Sequence, residues 1–505
     1  MVKGLPGIGA ELTFKEVFEY PLTKLDPVSG DHIDPPSVAI YETLLNKDSN
    51  GEPKPGLAES WETSPDGLVW RLRLRADARF HTGGTCDANA VVRALDMCRW
   101  GDGLKRQVWY WDPVDSCRPV SPEVVEFRLH YPCVRLPSLL WGTHTAIANP
   151  ETRTRLGADF GVSLADGTGE YRMLSFSESE VVVERVDSRW PPDRRNPPSS
   201  IKWISEPNPL RRREHLTTSS ADVVRAIQFD DVAESGGLWR LDSHHENSQI
   251  YLALNFEDPR GFAARSFRQA IESFIDRSEL VAVALGGEGD GRRSPIPVAD
   301  QFAASYDASG TVSMPIEKAR ATLASLGYSL TEAGILERDG IALRVDCVVQ
   351  DTEVIVRVAE VVRAQLRRAG LDLNLSFVKP FADFYRAVEA GPAAFISKWL
   401  WPDAMEAVMG FSRTDCAGDG GGNWQNANTS RVDESFDRFL KAGSEPELQS
   451  ASANVQGVFM DELPYLPLCS TVETMAISSR VRNFGLVPRT LYPSYAQVEM
   501  TVGAP

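Results

Sequence analysis

The sequence has no long apolar run, and it has fewer basic than acidic residues. No stretch of the ~18 apolar residues that a membrane-spanning helix needs occurs in the 505 residues, so no span is predicted. Lysine and arginine number 53 against 70 aspartates and glutamates, which gives a formal net charge of −17. Because nucleic acids are polyanions, this acidic balance argues against a nucleic-acid partner.

Cysteine is scarce and unpatterned. The seven cysteines are Cys86, Cys98, Cys117, Cys133, Cys347, Cys416 and Cys469. No two have the C-x-x-C spacing of a zinc knuckle or a redox pair, and an odd number leaves at least one thiol free. Free cysteines in a long chain behave as small buried hydrophobic residues, the usual cytosolic pattern. A bridge among Cys98, Cys117 and Cys133 in an oxidising compartment is the alternative.

An export signal is also missing. The N-terminal segment MVKGLPGIGAELTFKEVFEY (1–20) has no apolar run of the ~7–15 residues that such a signal needs, and no lipobox cysteine follows it. Either the protein is cytoplasmic, or a signal was trimmed and the mature protein is periplasmic or attached to the cell surface. Both alternatives stay open from the sequence.

Hydrophobic periodicity indicates an α/β chain. In the first half, apolar–polar alternation predicts strands, and Asp87 followed by apolar residues at spacings of three and four predicts a capped helix over 86–100. In the second half, buried strands alternate with amphipathic helices, a pattern typical of a parallel sheet with right-handed crossovers. The predicted strands are 69–75, 124–130, 180–186, 251–256, 341–350 and 371–378, and the further helices are 265–285, 316–327 and 354–370.

Several segments resemble those of a known family, in the same order along the chain. YETLLNKDSNGEPKPGLAESWETSPDGLVWRLRLRADARFHTGGTCDANAVVRAL (41–95) resembles the opening signature of solute-binding family 5, the peptide/nickel class of ABC-importer binding proteins. Later landmarks of the same resemblance are DGTGEYRMLSF (166–176), FRQAIESFIDRSELV (267–281), IEKARATLASLGY (316–328) and VAEVVRAQLRRAGLDLNL (358–375). The resemblance covers roughly residues 20 to 500.

The resemblance implies an α/β, two-lobed fold of the periplasmic-binding-protein type, in its large, three-domain form, with a ligand cleft between the lobes. Lobe I would comprise residues 1–252, completed by the tail 476–505, and lobe II residues 253–475. The two chain crossings between the lobes would form a hinge that closes on ligand.

The function implied is that of a substrate-binding protein of an ABC importer, which captures a peptide-like or other small polar solute by hinge closure. Its partners would be the ligand and, if the chain is exported, an ABC permease, and we expect a monomer. The alternative is a cytoplasmic enzyme or ligand sensor that reuses the fold, because the export signal is missing and the cysteines look free. The gene neighbourhood would discriminate between the two.

The ligand site is predicted in the segment SKWLWPDAMEAVMGF (397–411). The resemblance implies that Asp403 meets a ligand ammonium through a charge-assisted hydrogen bond, beside Trp399 and Trp401. The alternative is that both tryptophans are core residues and that Asp403 caps the helix that follows it.

Further candidate ligand residues are one cation, two amides and two aromatic residues: Tyr20, Asn255, Arg413, Trp424 and Asn426. Arg413 could bind a carboxylate or phosphate bidentately, or form a surface ion pair. Trp424 and Asn426 belong to the glycine-rich segment 418–428, which either lines the cleft or is a turn. Asn255 could offer its amide to ligand or bond the protein's own backbone, and Tyr20 could be a core residue.

No catalytic residue, metal site or cofactor is predicted. The sequence has no HExxH, no GxSxG and no phosphate-binding loop. His81 belongs to a turn and is expected to be structural. The adjacent His244 and His245 would point to opposite sides of an extended chain, and Ser199 and Lys202 lead into a strand that separates them.

Overall fold

The computed structural model describes residues 12–27, 35–48, 51–100, 111–142, 145–186, 197–227, 238–307, 313–417, 421–485 and 495–501. Their strands are β1 Thr13–Phe18, β2 Leu45–Lys47, β3 Pro53–Pro55, β4 Ala58–Thr63, β5 Val69–Leu74, β6 Val114–Ser121, β7 Val124–Leu129, β8 Tyr171–Ser177, β9 Glu180–Arg185, β10 Ser200–Ser205, β11 Val223–Val224, β12 Trp239–His245, β13 Ser248–Leu254, β14 Gly289–Asp290, β15 Ser329–Leu330, β16 Leu336–Arg338, β17 Ile341–Ala342, β18 Arg344–Gln350, β19 Asp372–Val378, β20 Ala394–Leu400, β21 Leu466–Ser478, β22 Val481–Arg482 and β23 Glu499–Met500. Their α-helices are α1 Pro35–Ile40, α2 Ala88–Trp100, α3 Leu136–Leu139, α4 Pro150–Leu156, α5 Pro209–Thr217, α6 Arg265–Glu272, α7 Arg277–Ala284, α8 Ile316–Ser325, α9 Glu353–Ala369, α10 Phe381–Glu389, α11 Ala404–Ser412, α12 Ser430–Leu440 and α13 Glu445–Glu462.

One sheet links both halves of the chain. Its strand order is β19-β18-β20-β13-β21-β11-β1-β10-β9-β8, and β12 and β14 also pair with β21. The 13-residue strand β21 pairs with β13 through residues 466–469 and with β12 through residues 472–478. We call the elements on the β12 side lobe one and those on the β13 side lobe two. The chain therefore passes between the lobes at the turn 246–247 and within β21. The limits predicted from the sequence, 1–252 with 476–505 and 253–475, stay a prediction.

Lobe one is built on parallel strands and carries a small second sheet. β1 runs parallel to β10 on one side and to β11 on the other, so the carboxyl ends of these three strands lie at one edge. The separate sheet β4-β5-β7-β6 packs with α2 around its own apolar core. The predicted cap of α2 is confirmed, because Asp87 Oδ1 accepts a hydrogen bond from the Ala90 N–H at 2.9 Å.

Lobe two contains the predicted strand–helix–strand unit. β18 is parallel to β19 and to β20, and α9 connects β18 to β19. The apolar stripe of α9, which includes Ile355, Val358 and Val362, is buried in the main core of this lobe. α9 ends at Gly370, whose φ of +95° is a left-handed conformation that glycine adopts without strain.

The segment 265–285 differs from its prediction. One helix was expected from its periodicity, but the structure has two, α6 and α7, separated by residues 273–276. The break arises because Asp276 adopts an extended conformation and its Oδ1 accepts a hydrogen bond from the Glu279 N–H at 3.0 Å, which starts a second helix.

The C-terminal residues return to lobe one. The ring of Tyr495 packs edge-on against Trp203 with 5.1 Å between centroids, and it also contacts Phe14. Its hydroxyl donates a hydrogen bond to Glu16 Oε2 at 2.5 Å, inside the core of lobe one. The tail is therefore held by a buried polar contact as well as by apolar packing.

The cysteines are all unpaired. Six of the seven are buried and Cys117 is half-buried, so the bridge considered among Cys98, Cys117 and Cys133 is not formed. Burial raises the pKa of the Cys98 thiol to about 12, as expected for an inert core cysteine. No helix within the described ranges is both long and apolar enough to cross a membrane.

Candidate functional site

Parallel strands of both lobes end near the turn where the chain crosses between the lobes: Glu19, after β1, interacts electrostatically with Glu246, and Trp401, after β20, bonds Asn247. Crevices at such strand ends are where open α/β sheets bind ligands. The crossing turn is held to lobe two there by Lys398 Nζ, which lies 2.6 Å from Glu246 Oε2, and by the Trp401 N–H, which donates to the Asn247 carbonyl at 3.1 Å. We call this region the interlobe junction, formed by Glu19, Tyr20, Arg225, His244, Glu246, Lys398, Trp401, Asp403, Glu406 and Glu473.

An ion network lies on the lobe-one side of the junction. Arg225 is buried, with Nε 2.5 Å from Glu16 Oε1 and Nη1 3.2 Å from Glu473 Oε1. The same Glu473 lies 3.4 Å from His244 Nε2. Burial raises the pKa of Glu473, but the charge of Arg225 and the contact with His244 outweigh it and lower that pKa to about 2.

This lowered pKa predicts an acid-sensitive contribution to stability. Because the folded-state pKa is about 2 against 4.5 for an ordinary glutamate, ionised Glu473 stabilises the fold above pH 4.5. The stabilisation, on the order of 3 kcal/mol, is lost as the pH falls through about 2. We expect Glu473→Gln to lower the free energy of unfolding near pH 7, measured in denaturant, and this difference to shrink toward pH 2. Glu353→Gln, a change at an exposed acid of α9, is the control. A Glu473→Gln deficit that is the same at pH 7 and pH 3 would contradict this assignment.

A second charged cluster joins the lobes directly. Arg135 of lobe one places Nη2 2.7 Å from Asp403 Oδ2 and 3.0 Å from Glu406 Oε1, both of lobe two. Its guanidinium also lies 4.6 Å from the ring centroid of Phe439 in α12. All three charged side chains are more than nine-tenths buried, so they form an ion triad between the lobes with little access to water.

A third acid lies beside this triad. Asp300 Oδ2 accepts hydrogen bonds from the Ala404 N–H at 2.9 Å and from Asn247 Nδ2 at 3.0 Å. Burial and the charge of Asp403 raise the pKa of Asp300. Burial and Asp403 also raise the pKa of Glu406 well above its usual range, although Arg135 opposes that shift. The junction thus holds more buried carboxyl groups than guanidinium groups on this side.

The predicted ligand residue Asp403 has the helix-capping role that the sequence offered as the alternative. It caps α11, since Oδ1 accepts from the N–H groups of Met405 at 3.0 Å and Glu406 at 3.3 Å. It also lies at the interlobe junction, where a cation of the protein itself, Arg135, is already its partner. A ligand-binding role for Asp403 stays a prediction.

The two tryptophans that flank Asp403 lie in different surroundings. Trp399 is 3% exposed in the apolar core of lobe two and donates from Nε1 to the Tyr465 hydroxyl at 3.3 Å. This placement favours the core alternative for Trp399. Trp401 is only partly buried, follows β20, and packs at the edge of the same core beside the junction.

Arg413 and Asn255 have partners within lobe two. Arg413 makes a bidentate pair with Asp415, at 2.9 and 2.8 Å, and a further ion pair with Asp437 at 3.0 Å. Asn255 donates to the Pro392 carbonyl at 3.2 Å and accepts from the Glu257 N–H at 3.0 Å. Both sets of contacts correspond to the structural alternatives stated for these residues.

The remaining candidates are divided between the two lobes. Trp424 packs edge-on against Tyr385 with 4.9 Å between ring centroids, and Asn426 Nδ2 lies 3.4 Å from Glu257 Oε2 on lobe two. Residues 418–420 of the glycine-rich segment lie outside the described residues. Tyr20 of lobe one belongs to the junction, with its ring 4.7 Å from that of Phe18. Of the predicted residues, Tyr20 lies in the charged cluster around Arg225, and Trp401 and Asp403 lie beside the crossing turn 246–247.

Sequence reasoning missed the charged residues that organise the junction. Arg135, Arg225 and Glu473 are single charges in mixed segments, and nothing local distinguishes them from surface residues. Glu16 carried a weak signal, because TFKEVF places an acid within a strand whose neighbours are buried. Within the residues that the structure describes, no group of three or more histidine, cysteine, aspartate or glutamate side chains is arranged to hold a metal ion.

Comparison with known proteins identifies relatives along most of the chain. Residues 52–421 match the family model described as bacterial extracellular solute-binding proteins, family 5 Middle. The glutathione-binding protein GsiB of Salmonella paratyphi A is 26% identical over 315 residues, which are 61% of this chain and 60% of the relative. GsiB of Shigella dysenteriae serotype 1 is 25% identical over 484 residues, which are 93% of this chain and 91% of the relative.

Solved structures share the fold across nearly the whole chain. NikZ from Campylobacter jejuni, solved in complex with Ni(L-His), superposes with a TM-score of 0.83 at 16% identity, covering 96% of this chain and 99% of that one. DppA from Helicobacter pylori, solved in complex with the peptide STSA, gives 0.82 at 16% identity, covering 97% and 98%. The predicted α/β, periplasmic-binding-protein-like fold is confirmed.

Proposed function

Because the chain belongs to family 5 of the bacterial extracellular solute-binding proteins, we propose that it captures a peptide-like or other small polar solute between its lobes for an ABC importer. Binding energy would favour the closed arrangement of the lobes, and a permease would recognise that closed form. The family description places its members outside the cell, and we propose that this chain also acts there, as a monomer.

The observation that carries the proposal is the meeting of strand ends from two lobes at one junction. Glu19 and Arg225 follow parallel strands of lobe one, and Trp401 follows a parallel strand of lobe two. The chain crosses between the lobes at 246–247 and within β21 beside these residues. A solute bound at the junction would touch both lobes and would therefore couple binding to closure.

The class of solute is supported by the relatives' names. They refer to glutathione, to a nickel–histidine complex and to a tetrapeptide, which are all polar molecules built from amino acids. The junction offers charged groups of both signs and the partly buried ring of Trp401, a composition suited to such molecules. We propose Tyr20, Trp401 and Asp403 as the predicted residues closest to the solute.

A thermal-shift screen tests this function. We expect the full chain to be stabilised by at least one member of a panel of di- to tetrapeptides, glutathione and nickel–histidine. Ligand at a hundred times its dissociation constant adds about 2.7 kcal/mol of stability, a rise of several degrees in Tm. Sugars and nucleotides of similar size serve as matched negative probes. No shift with any peptide-like member would contradict the proposal.

The alternative is an enzyme or sensor built on the same fold, and of these the enzyme makes a different prediction in the same screen. An enzyme would convert the stabilising solute, whereas a transport receptor would release it unchanged. Mass spectrometry of the solute after prolonged incubation with the chain separates the two. We expect recovery of intact solute, since family membership supports capture rather than turnover.

A further inference from the structure

Glu19 stands out among the acids of the junction because part of its carboxylate is unused. Its Oε2 is enclosed by protein, and no hydrogen-bond partner for it exists within the described residues. The neighbouring acids are paired: Glu246 with Lys398 at 2.6 Å and Glu473 with Arg225 at 3.2 Å. Glu19 therefore has an acceptor oxygen available where the others do not.

The position of Glu19 follows from the sheet. β1 lies between β10 and β11 and is parallel to both, so the residue after Phe18 emerges at the carboxyl edge that faces the junction. Glu473 and Glu246 of the crossing segments lie close enough to act on Glu19 through their charges. This places the free oxygen beside the chain crossings rather than on the outer surface of lobe one.

The cation that acts electrostatically on Glu19, Arg212, makes no direct bond to it. Arg212 is 4% exposed, and its Nη1 donates to the carbonyls of Glu206 at 2.9 Å and Pro207 at 3.0 Å. Its Nη2 donates to the Ala226 carbonyl at 3.1 Å, and its Nε has no partner in the described part of the chain. Arg212 therefore interacts with Glu19 only by long-range electrostatic attraction, without a hydrogen bond.

Carboxylates outnumber the permanent cations of this region by one. Four carboxylates lie here, those of Glu16, Glu19, Glu246 and Glu473, against three permanent cations, Arg212, Arg225 and Lys398, and the imidazole of His244 lies beside Glu473. An enclosed carboxylate oxygen without a donor is unfavourable, and a charged donor is its strongest partner. A bound group with one positive charge and N–H donors would satisfy both the oxygen and the charge balance.

We propose that Glu19 is a specificity-determining residue that contacts the bound solute and selects solutes carrying a cationic nitrogen, an ammonium or a guanidinium. This inference rests on the proposed function, because it concerns the same interlobe junction. It assigns the solute's cation to lobe one, opposite the buried acids that Arg135 already pairs in lobe two.

The test uses probes that differ only in a cationic nitrogen. Trialanine is compared with N-acetyltrialanine, and Ala-Lys-Ala with Ala-norleucine-Ala, by calorimetric titration of the full chain. We expect the wild type to bind the cationic member of at least one pair roughly tenfold more tightly. Glu19→Gln, which keeps the shape and removes the charge, should reduce that preference to about twofold or less while binding of the neutral member is unchanged.

Glu206→Gln is the matched control. Glu206 follows β10 as Glu19 follows β1, but its Oε1 accepts from the Asn208 N–H at 3.1 Å, so it has a local partner. We expect Glu206→Gln to keep the wild-type preference. Melting curves measured without probe detect any folding defect. We expect the Tm of Glu19→Gln to be no lower than that of the wild type.

The outcomes separate this inference from the function on which it rests. If the wild type binds probes but Glu19→Gln retains the full preference, or weakens both members of a pair equally, the assignment of Glu19 is wrong and the proposed function stands. If the wild type binds none of the four probes, the assignment of Glu19 is overturned, and the thermal-shift panel decides the function separately: a shift with another peptide-like member leaves the proposed function standing.

Discussion

Arg135→Met should release the contact between the lobes. The change leaves Asp403 and Glu406 buried without their cation, and removing one partner of a buried ion pair costs about 3–5 kcal/mol. Because the cation and the acids belong to different lobes, we expect the acids to regain water by opening of the junction. Small-angle X-ray scattering should then give a radius of gyration above the about 23 Å of a compact chain of this length.

Two variants control this prediction. Arg413→Met also removes an arginine from two acids, but Asp415 and Asp437 lie in the same lobe as Arg413 and are exposed, so the scattering should not change. Glu406→Gln keeps the shape of the second acid and leaves Asp403 as the ion-pair partner of Arg135, so its effect should be smaller than that of Arg135→Met. An Arg135→Met chain that scatters like the wild type would show that the ion triad does not hold the lobes together.

Glu16→Ala should destabilise lobe one and free the C-terminal tail. Glu16 accepts from Arg225 Nε at 2.5 Å, from Trp203 Nε1 at 3.0 Å and from the Tyr495 hydroxyl at 2.5 Å, all in the core. Its loss leaves three buried donors unsatisfied, one of them charged, so we expect a decrease of about 3–5 kcal/mol in the free energy of unfolding. Chemical denaturation measures this, and limited proteolysis should remove the tail faster.

Tyr495→Phe and Glu16→Gln should have smaller effects on the same hydrogen-bond network than Glu16→Ala. Tyr495→Phe removes one hydrogen bond to a charged acceptor and should lose about 1.5–3 kcal/mol, with the same increase in tail proteolysis. Glu16→Gln keeps an acceptor oxygen but loses the charge that balances Arg225, so it should fall between the wild type and Glu16→Ala. Wild-type stability and an intact tail in Glu16→Ala would contradict the role given to this residue.

Local patterns predicted the elements of the fold because each depends on neighbours in the sequence. The stripe of α9 and its end at Gly370 follow from spacing and from one special backbone conformation. The break within 265–285 could not be predicted from spacing. Asp276 could lie inside a helix or cap one, and only its backbone conformation decides which of the two occurs. The α-helical cap at Asp403 was foreseen as an alternative for the same reason.

The charged contacts of the junction could not be predicted from one sequence. Arg135 and Asp403 are 268 positions apart, and Glu16 and Tyr495 are 479 apart. The first pair forms because the two lobes meet, and the second because the C-terminal tail returns to the core of lobe one. A single charge in a mixed segment does not indicate such a distant partner, whereas the family resemblance pointed to the segment around Asp403 as a predicted ligand site, which stays a prediction.

Hydrogen–deuterium exchange of the full chain, with and without its tightest peptide-like ligand at saturation, tests most directly whether solute is captured between the lobes. The predicted result is simultaneous protection of the segments after β1, after β20 and within β21, which belong to both lobes and to the crossing between them. Protection confined to one lobe, with the ligand bound at saturation, would contradict capture at the interlobe junction.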